Sequence, residues 1–295
     1  MREEQGKKNE RRGILNNPIW QLTAAGIAIV AVLVAVVLPR RAGNGGKETG
    51  WSGGALTLTH RLTGAGRGPL ALCDEDHLQS EEDSAECGMA CLPVGWHPAS
   101  GYAIGGESVR LSPVVSMQLD RMILDYTETN ASYSIPCVVS GYRDLSEQRA
   151  AGRTPGADPA GTGYALTLSL CVPQGDGMAV VPLSNPLAQS FSAWLASHAA
   201  SYGFTYDSGG LLRYVGVPHA AAMIHSSQSL SAYISALTGK LQTAPLKIEA
   251  AGAVYSVFFV PADRNGEASL TLPSDAVFTV SGTNAGGFVV TVRER

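Results

Sequence analysis

The sequence predicts an α+β fold in which a small antiparallel sheet is flanked by helices. We expect a transmembrane helix before this domain and a small all-β module after it. Three observations lead to this prediction. Residues 22–38 form an uncharged apolar run, amphipathic helical patterns alternate with short β-rich runs over residues 105–237, and further β-rich runs separated by turns follow Lys240. At 295 residues, the chain can form one sizeable core together with an anchor and a small module.

The N-terminus predicts a retained membrane anchor. We expect a basic cytoplasmic tail over residues 1–17, a transmembrane helix over residues 18–39 and a glycine-rich stalk over residues 40–54. The helix would reach about 30 Å, which suits a bilayer core. Two arginines follow it directly and no small-residue cleavage site closes it, which favours an anchor over a cleaved signal peptide. The sequence therefore predicts a single-pass protein of the cell membrane whose body is extracytoplasmic.

The charge of the body argues against nucleic acid as a partner. Residues 1–41 contain seven of the 21 Lys and Arg and three of the 25 Asp and Glu, so residues 42–295 carry 14 positive and 22 negative groups. An acidic surface repels a polyanion. The acidic stretch from Asp74 to Glu86 is typical of a solvated loop, and we expect residues 55–102 to be irregular.

Five cysteines follow the predicted anchor. Cys137 and Cys171 belong to neighbouring strand-like runs and could pair across them. The remaining three lie near a histidine, in the order Cys73, His77, Cys87 and Cys91, but this spacing matches no common zinc module. A structural zinc, a disulfide among these three cysteines and free buried thiols all remain open.

The helical predictions rest on apolar periodicity. A helix begins after Leu111, with Ser112 as N-cap and Pro113 at its first position, and ends at Asn130. Five apolar residues recur along it at three- and four-residue spacing: Val115, Leu119, Met122, Ile123 and Tyr126. Further helical segments are predicted at Leu145–Ala150, Phe191–Tyr202 and Ser229–Leu237.

The strand predictions rest on alternating or β-branched runs between turns. Before Lys240 these runs are residues 135–139, 165–171 and 211–217. Residues 151–163 are rich in glycine and form a loop. The module over residues 241–295 contains five runs: 247–250, 254–260, 269–272, 277–280 and 288–292. An all-β segment this short has little independent stability, so we expect it to dock on the preceding domain.

A short motif lies at the exit of the first of these strands. It reads Ser140-Gly141-Tyr142-Arg143, with Gln148 five residues after the arginine, and Arg213-Tyr214-Val215-Gly216 follows later. These motifs resemble those of the VanY-type zinc D-alanyl-D-alanine carboxypeptidases over roughly residues 105–237. The resemblance implies a VanY-like peptidase domain over residues 55–240. It also implies a substrate-binding role for five residues: Ser140, Tyr142, Arg143, Gln148 and Arg213.

An arginine suits such a site because its guanidinium can grip a terminal carboxylate through two hydrogen bonds. The alternative is a buried ion pair between Arg143 and an acid such as Asp144. His219 follows the second motif, and we expect it to be a packed histidine with satisfied hydrogen bonds rather than a ligand.

The resemblance breaks down at the metal site. The family positions of the three zinc ligands are occupied by Ala160, Thr167 and Leu211, and Ser208 stands at the position of the general base. A catalytic zinc needs three protein ligands and an open water position. We therefore expect no zinc and no other cofactor.

Three functions remain open. The first is a zinc-less pseudoenzyme that binds a peptidoglycan stem peptide or a cell-wall protein, with the membrane contacted through one helix. The second is an active carboxypeptidase whose ligands have moved, drawing on Asp158, Asp207 or His225. The third is an interaction scaffold that works through the C-terminal β module. No serine-hydrolase motif fits the predicted elements.

Overall fold

The computed structural model describes residues 56–84, 88–130 and 133–295. The predicted tail, anchor and stalk lie outside these ranges. Inside them, no helix combines the length and the apolar character needed to cross a bilayer. The described chain forms α-helices and strands whose pairing is mostly antiparallel, so the predicted α+β class is confirmed.

Short strands lie within residues 55–102, the region that was expected to be irregular, and just after it. In chain order they are β1 (Thr57–Leu62), β2 (Ala90–Leu92), β3 (Gly95–His97), β4 (Tyr102–Ile104) and β5 (Val109–Leu111). Four of them contain three residues each, which is too short for an alternating pattern to emerge from the sequence. The expectation of an irregular region was therefore wrong.

The first helix, α1 (Pro113–Thr129), confirms the prediction made for it. Proline occupies its first turn, where a missing N–H costs nothing, and the Asn130 N–H donates to the Tyr126 carbonyl at its end. All five predicted apolar side chains of its stripe are buried. Burial of each contributes roughly 1.5–3 kcal/mol, so packing of this stripe fixes the helix against the sheet.

The central sheet contains seven strands. Two of the strands above, β3 and β4, belong to it. The other five are β6 (Ile135–Ser140), β7 (Ala165–Gln174), β8 (Gly177–Pro182), β9 (Phe204–Tyr206) and β10 (Leu211–Tyr214). The order is β3-β4-β6-β7-β10-β9, and β8 also pairs with β7. The β4–β6 pair is parallel and the others are antiparallel.

The described ranges contain four further α-helices. They are α2 (Leu145–Ala150), α3 (Gln189–His198), α4 (Val217–Ser226) and α5 (Leu230–Leu237). Helix α4 corrects the prediction of a strand over residues 211–217, because the strand ends at Tyr214 and a helix begins at Val217, with Pro218 in its first turn. Strand β8 was not predicted, since its side chains are mostly exposed and carry little periodic signal.

One face of the central sheet forms the main core. Leu166, Leu168 and Leu170 of β7 pack there with Leu212 of β10 and with the buried stripe of α1. Because successive residues of a strand point to opposite faces, the residues between these leucines point away from the core. That opposite face carries the residues of the candidate site.

All five predicted C-terminal strands are present. They are β11 (Leu246–Ala250), β12 (Ala253–Pro261), β13 (Ala268–Pro273), β14 (Val277–Gly282) and β15 (Gly287–Arg293). Four of them form a sheet in the order β11-β12-β15-β14, whereas β13 pairs with β1. One face of the four-stranded sheet packs through Val257 and Val289 against buried residues of α4 and α5, including Met223 and Ile234.

Candidate functional site

Three neighbouring strands carry a row of residues at the candidate site. A register shift between Val138 and Ser140 places Ser140 of β6 opposite Thr167 of β7. The Ser140 hydroxyl donates to Thr167 Oγ1 at 2.9 Å. On its other side, Thr167 is paired with Leu211 of β10. Two of the three family metal positions thus lie side by side, and both residues are half-buried.

A short 3₁₀ turn over Pro159–Thr162 brings the third metal position to the arginine motif. The Arg143 N–H donates to the Ala160 carbonyl at 3.3 Å. Asp158 caps the turn by accepting from the Ala160 N–H at 2.9 Å. Gly163 ends the turn with a φ of 72°, a conformation that glycine adopts without strain. The loop between β6 and β7 is therefore tied to the motif through the backbone.

Arg143 is the partly accessible cation of the motif. Its side chain is 34% exposed, and Nη1 lies 4.0 Å from Asp158 Oδ2. Asp144, the partner considered from the sequence, instead caps α2 by accepting from the Glu147 N–H at 2.8 Å. That hydrogen bond holds the pKa of Asp144 below its usual value. The guanidinium therefore keeps donors available beside a loosely paired acid.

Gln148 is fully buried and bonded to the backbone at both ends of its amide. Its Nε2 donates to the Arg143 carbonyl at 2.9 Å, and its Oε1 accepts from the Gly156 N–H at 2.8 Å. The sequence correctly placed this side chain against Arg143. Its predicted direct contact with a ligand stays a prediction, and in this structure no surface of Gln148 is exposed.

Tyr142 is also buried, with 4% of its surface exposed. Its hydroxyl donates to the Ser84 carbonyl, and the guanidinium of Arg110 lies 5.0 Å from the centre of its ring. Arg110 in turn donates to Glu147 of α2. Tyr142 thus contacts Arg110 of β5 and the backbone of Ser84, and its predicted binding role stays a prediction.

Arg213 completes the set of buried motif residues. Its Nη2 donates to the Ala71 carbonyl, and its Nε has no hydrogen-bond partner within the described ranges. Burial lowers the pKa of Arg213, while neighbouring Cys73 acts in the opposite direction. Burial raises the pKa of the Cys73 thiol to about 11, although the nearby Arg213 acts to lower it. Arg213 is largely buried here, and its predicted substrate-binding role stays a prediction.

The segment over residues 70–84 was missed by sequence reasoning. Its acidic side chains are mostly exposed, as expected of a solvated loop, but six of its residues are buried. These are Leu70, Ala71, Leu72, Cys73, Gln79 and Ser84. Through Ala71 and Ser84 it accepts the hydrogen bonds of the buried motif arginine and tyrosine. The apolar run over residues 70–73 was the available signal.

The residues at the family metal positions do not fit a catalytic zinc. Ala160 and Leu211 have no donor atom, and Thr167 supplies one hydroxyl that already accepts from Ser140. Ser208, at the base position, is exposed in the turn before β10. Across the described parts of the chain, no three His, Cys, Asp or Glu side chains are grouped so as to hold one metal ion.

The relocated ligands are not brought together either. Asp158 is engaged by the Ala160 N–H, and Asp207 accepts from the N–H groups of Gly209 and Leu211. His225 lies at the exposed end of α4, beside a groove formed with α5 and β11. Within the described ranges these three residues are not grouped as a metal site, and the alternative of relocated ligands stays a prediction.

The described cysteines carry free thiols. Cys73 and Cys137 are buried, Cys171 is half-buried and Cys91 is exposed. Cys87 lies outside the described ranges, so the alternatives that include it stay predictions. Cys137 and Cys171 lie on β6 and β7, as the sequence indicated.

Comparison with known proteins gives one sequence relative and a clear structural likeness. A D-alanyl-D-alanine carboxypeptidase from Enterococcus faecium is 24% identical over 220 residues, which is 65% of this chain. The match also spans 65% of that relative, just under two thirds of its length. No protein-family model matches the sequence.

The structural likeness is to the vancomycin-resistance D,D-dipeptidase VanXYg, solved in complex with a D-Ala-D-Ala phosphinate analogue. The TM-score is 0.63 with 24% identity, and the match covers 81% of this chain and 100% of that one. Such a likeness establishes a shared fold. It extends well beyond the motif region from which the resemblance was first drawn.

Proposed function

We propose that this chain binds D-alanyl-terminated peptidoglycan stem peptides without cleaving them through zinc. It is similar in sequence to a D-alanyl-D-alanine carboxypeptidase and shares the fold of a D,D-dipeptidase. One observation carries the proposal. Arg143, three residues after Ser140, keeps a partly exposed side chain, whereas Thr167 and Leu211, which lie in the row that begins at Ser140, supply no set of zinc ligands.

The binding half of the proposal rests on the chemistry of Arg143. A peptide ending in D-alanine presents a free carboxylate, and guanidinium–carboxylate pairs are among the strongest hydrogen-bonded pairs in proteins. The 4.0 Å contact with Asp158 holds the guanidinium near the site without occupying all of its donors. The hydroxyls of Ser140 and Thr167 add neutral polar contacts on the same side of the sheet.

The non-catalytic half rests on the missing donors. Zinc-dependent peptide hydrolysis uses a metal to activate water and a carboxylate to accept its proton. Ala160, Thr167 and Leu211 do not supply the ligands for such a metal, and Ser208 does not supply a carboxylate. The remaining chemistry of the site is recognition of an anionic peptide terminus.

Binding of a D-Ala-D-Ala-terminated pentapeptide to the purified full-length chain, measured by calorimetry, tests the proposal. We expect Arg143→Ala to weaken binding at least about tenfold, because a charge-assisted hydrogen bond contributes roughly 1.5–3 kcal/mol. Arg264→Ala is the matched control, since it removes an equally charged side chain from an exposed turn of the C-terminal module. Amidation of the peptide terminus should weaken binding to the wild type and leave the Arg143→Ala variant unaffected.

Two results would overturn the proposal. Release of D-alanine in the presence of zinc, abolished by a chelator, would contradict the non-catalytic half. Absence of binding in both the wild type and Arg143→Ala would contradict the binding half and favour the scaffold function of the C-terminal module.

We also propose that residues 18–39 anchor the protein in the cell membrane with its body extracytoplasmic. The uncharged run from Leu22 to Leu38 and the basic residues on both sides support this location. Removal of residues 1–41 should release the protein from the membrane fraction of its cells. Retention of the truncated chain there would contradict the anchor.

A further inference from the structure

Two thiols lie on the same face of the central sheet, next to the candidate site. Cys137 of β6 is paired with Ser169 of β7, and Ile135 is paired with Cys171. Paired residues share a face, and residues two apart on a strand also share a face. Cys137 and Cys171 are therefore diagonal neighbours, on the face that also carries Thr167.

The two thiols differ in access. Cys137 is completely buried, whereas Cys171 is half-buried. Room for the Cys137 sulfur depends on Gly105, where a Cβ would lie 2.9 Å from it. Burial, together with a smaller contribution from the neighbouring Cys171, raises the pKa of Cys137 to about 12. An oxidant from solvent thus meets Cys171 first, and Cys137 is placed to react second.

The diagonal spacing decides what kind of bond could form. Diagonal neighbours in an antiparallel pair have Cα atoms about 7–8 Å apart, whereas disulfides usually span about 4.4–6.8 Å. Closing the bond therefore requires the strands to move slightly, and the register shift between Val138 and Ser140 is a place where β6 can yield. A bond closed against such resistance is more easily reduced than a structural disulfide.

We propose that Cys137 and Cys171 form a reversible disulfide that joins β6 to β7 beside the candidate site. The oxidant is a disulfide of small-molecule or protein origin. The Cys171 thiolate attacks it, a mixed disulfide forms and one thiol leaves. The Cys137 thiolate then attacks the Cys171 sulfur and displaces the second thiol. Two electrons pass from the cysteine pair to the oxidant, and the two protons end on the released thiols.

The test equilibrates the purified full-length chain with mixtures of reduced and oxidised glutathione, in the presence of a chelator. Free thiols are then alkylated, and the peptides are mapped by mass spectrometry. We expect a linked Cys137–Cys171 peptide pair that accumulates with oxidised glutathione and disappears when reduced glutathione is in excess. This measurement needs no variant, so it does not depend on whether a substitution folds.

Single substitutions test the order of the two steps. Cys137→Ala should trap Cys171 as a glutathione mixed disulfide, whereas Cys171→Ala should leave Cys137 alkylated as a free thiol. Cys91→Ala removes an exposed cysteine of the described chain and should leave the linked pair unchanged. The proposal is overturned if Cys91 becomes glutathionylated while the pair stays unlinked, or if the link persists in excess reduced glutathione.

Discussion

The two sides of the candidate site relate to the family pattern in opposite ways. We call the residues of the two arginine-containing motifs the arginine side and the family metal positions on β7 and β10 the strand side. On the arginine side, three residues that match the pattern are buried and hydrogen-bonded to backbone groups: Tyr142, Gln148 and Arg213. On the strand side, Thr167 and Leu211 are partly accessible and depart from it. Buried polar groups need partners whatever a site does, so these three matches serve the fold directly. The motif therefore identifies the fold more firmly than it identifies an activity.

Restoring metal donors on the strand side should produce the largest effect. The triple substitution Ala160→His, Thr167→Asp and Leu211→His supplies three zinc ligands at positions that strand pairing and the 3₁₀ turn bring together. We expect zinc to bind this variant at least about a thousandfold more tightly than the wild type, because three protein ligands make a zinc site. Competition with a chelating dye measures both affinities.

Each single substitution serves as the control for the triple variant, since one added ligand leaves a site incomplete. Zinc binding by the wild type as tight as that expected of the triple variant would show that the strand side already holds a metal. The contrast between the two sides of the site would then be wrong.

Removal of Gln148 tests the arginine side. Gln148→Ala should lower the free energy of unfolding by about 3 kcal/mol. The substitution creates a cavity and leaves the Arg143 carbonyl and the Gly156 N–H without hydrogen-bond partners. Denaturant titration followed by circular dichroism measures the change.

Arg143→Ala provides the contrast within the same motif. Its side chain is partly exposed and loosely paired, so its loss should change stability by about 0.5 kcal/mol or less. If both variants are equally stable and Gln148→Ala instead loses peptide binding, then Gln148 is a ligand contact rather than a support.

Much of the fold could be predicted from the sequence because local patterns carried it. The long periodic stripe of α1 and the turn residues between the C-terminal strands give direct signals. Strands of three residues, such as β4 and β5, give none, because their pairing depends on distant segments. The start of helix α4 was missed because residues 211–217 are rich in Leu, Tyr and Val, which is typical of a strand.

The site was harder to predict than the fold. The sequence places Gln148 near Arg143, since α2 is local, and it identifies the positions without metal donors. It does not reveal that residues 70–84 cover Tyr142 and Arg213, because that contact joins segments far apart in the chain. Exposure decides whether a motif residue can bind a ligand, and exposure is set by tertiary packing.

His219 offers the smallest but most specific test of the idea that matching residues support the fold. It is buried between two hydroxyl groups, with Nδ1 2.9 Å from Tyr233 Oη and Nε2 2.9 Å from Thr291 Oγ1. It thus links α4 to α5 and to β15, as a packed histidine was expected to do. Burial lowers its pKa from 6.5 to about 4.

The pH dependence of stability follows from this shift. The unfolded chain takes up a proton on His219 near pH 6.5, whereas the folded chain resists protonation until about pH 4. Stability from the neutral histidine is therefore complete above pH 6.5 and is lost as the pH falls toward 4. Between pH 7.5 and pH 5 the loss is about 2 kcal/mol.

Unfolding free energies at several pH values isolate this contribution when the wild type is compared with His219→Gln. The variant keeps a polar side chain that does not titrate, so its stability should fall less steeply between pH 7.5 and pH 5. His225→Gln alters an exposed histidine of the same helix and should retain the wild-type slope. Identical slopes for the wild type and His219→Gln would mean that His219 is solvated or already charged. The interpretation of His219 as a neutral histidine that links α4 to the C-terminal sheet would then be wrong.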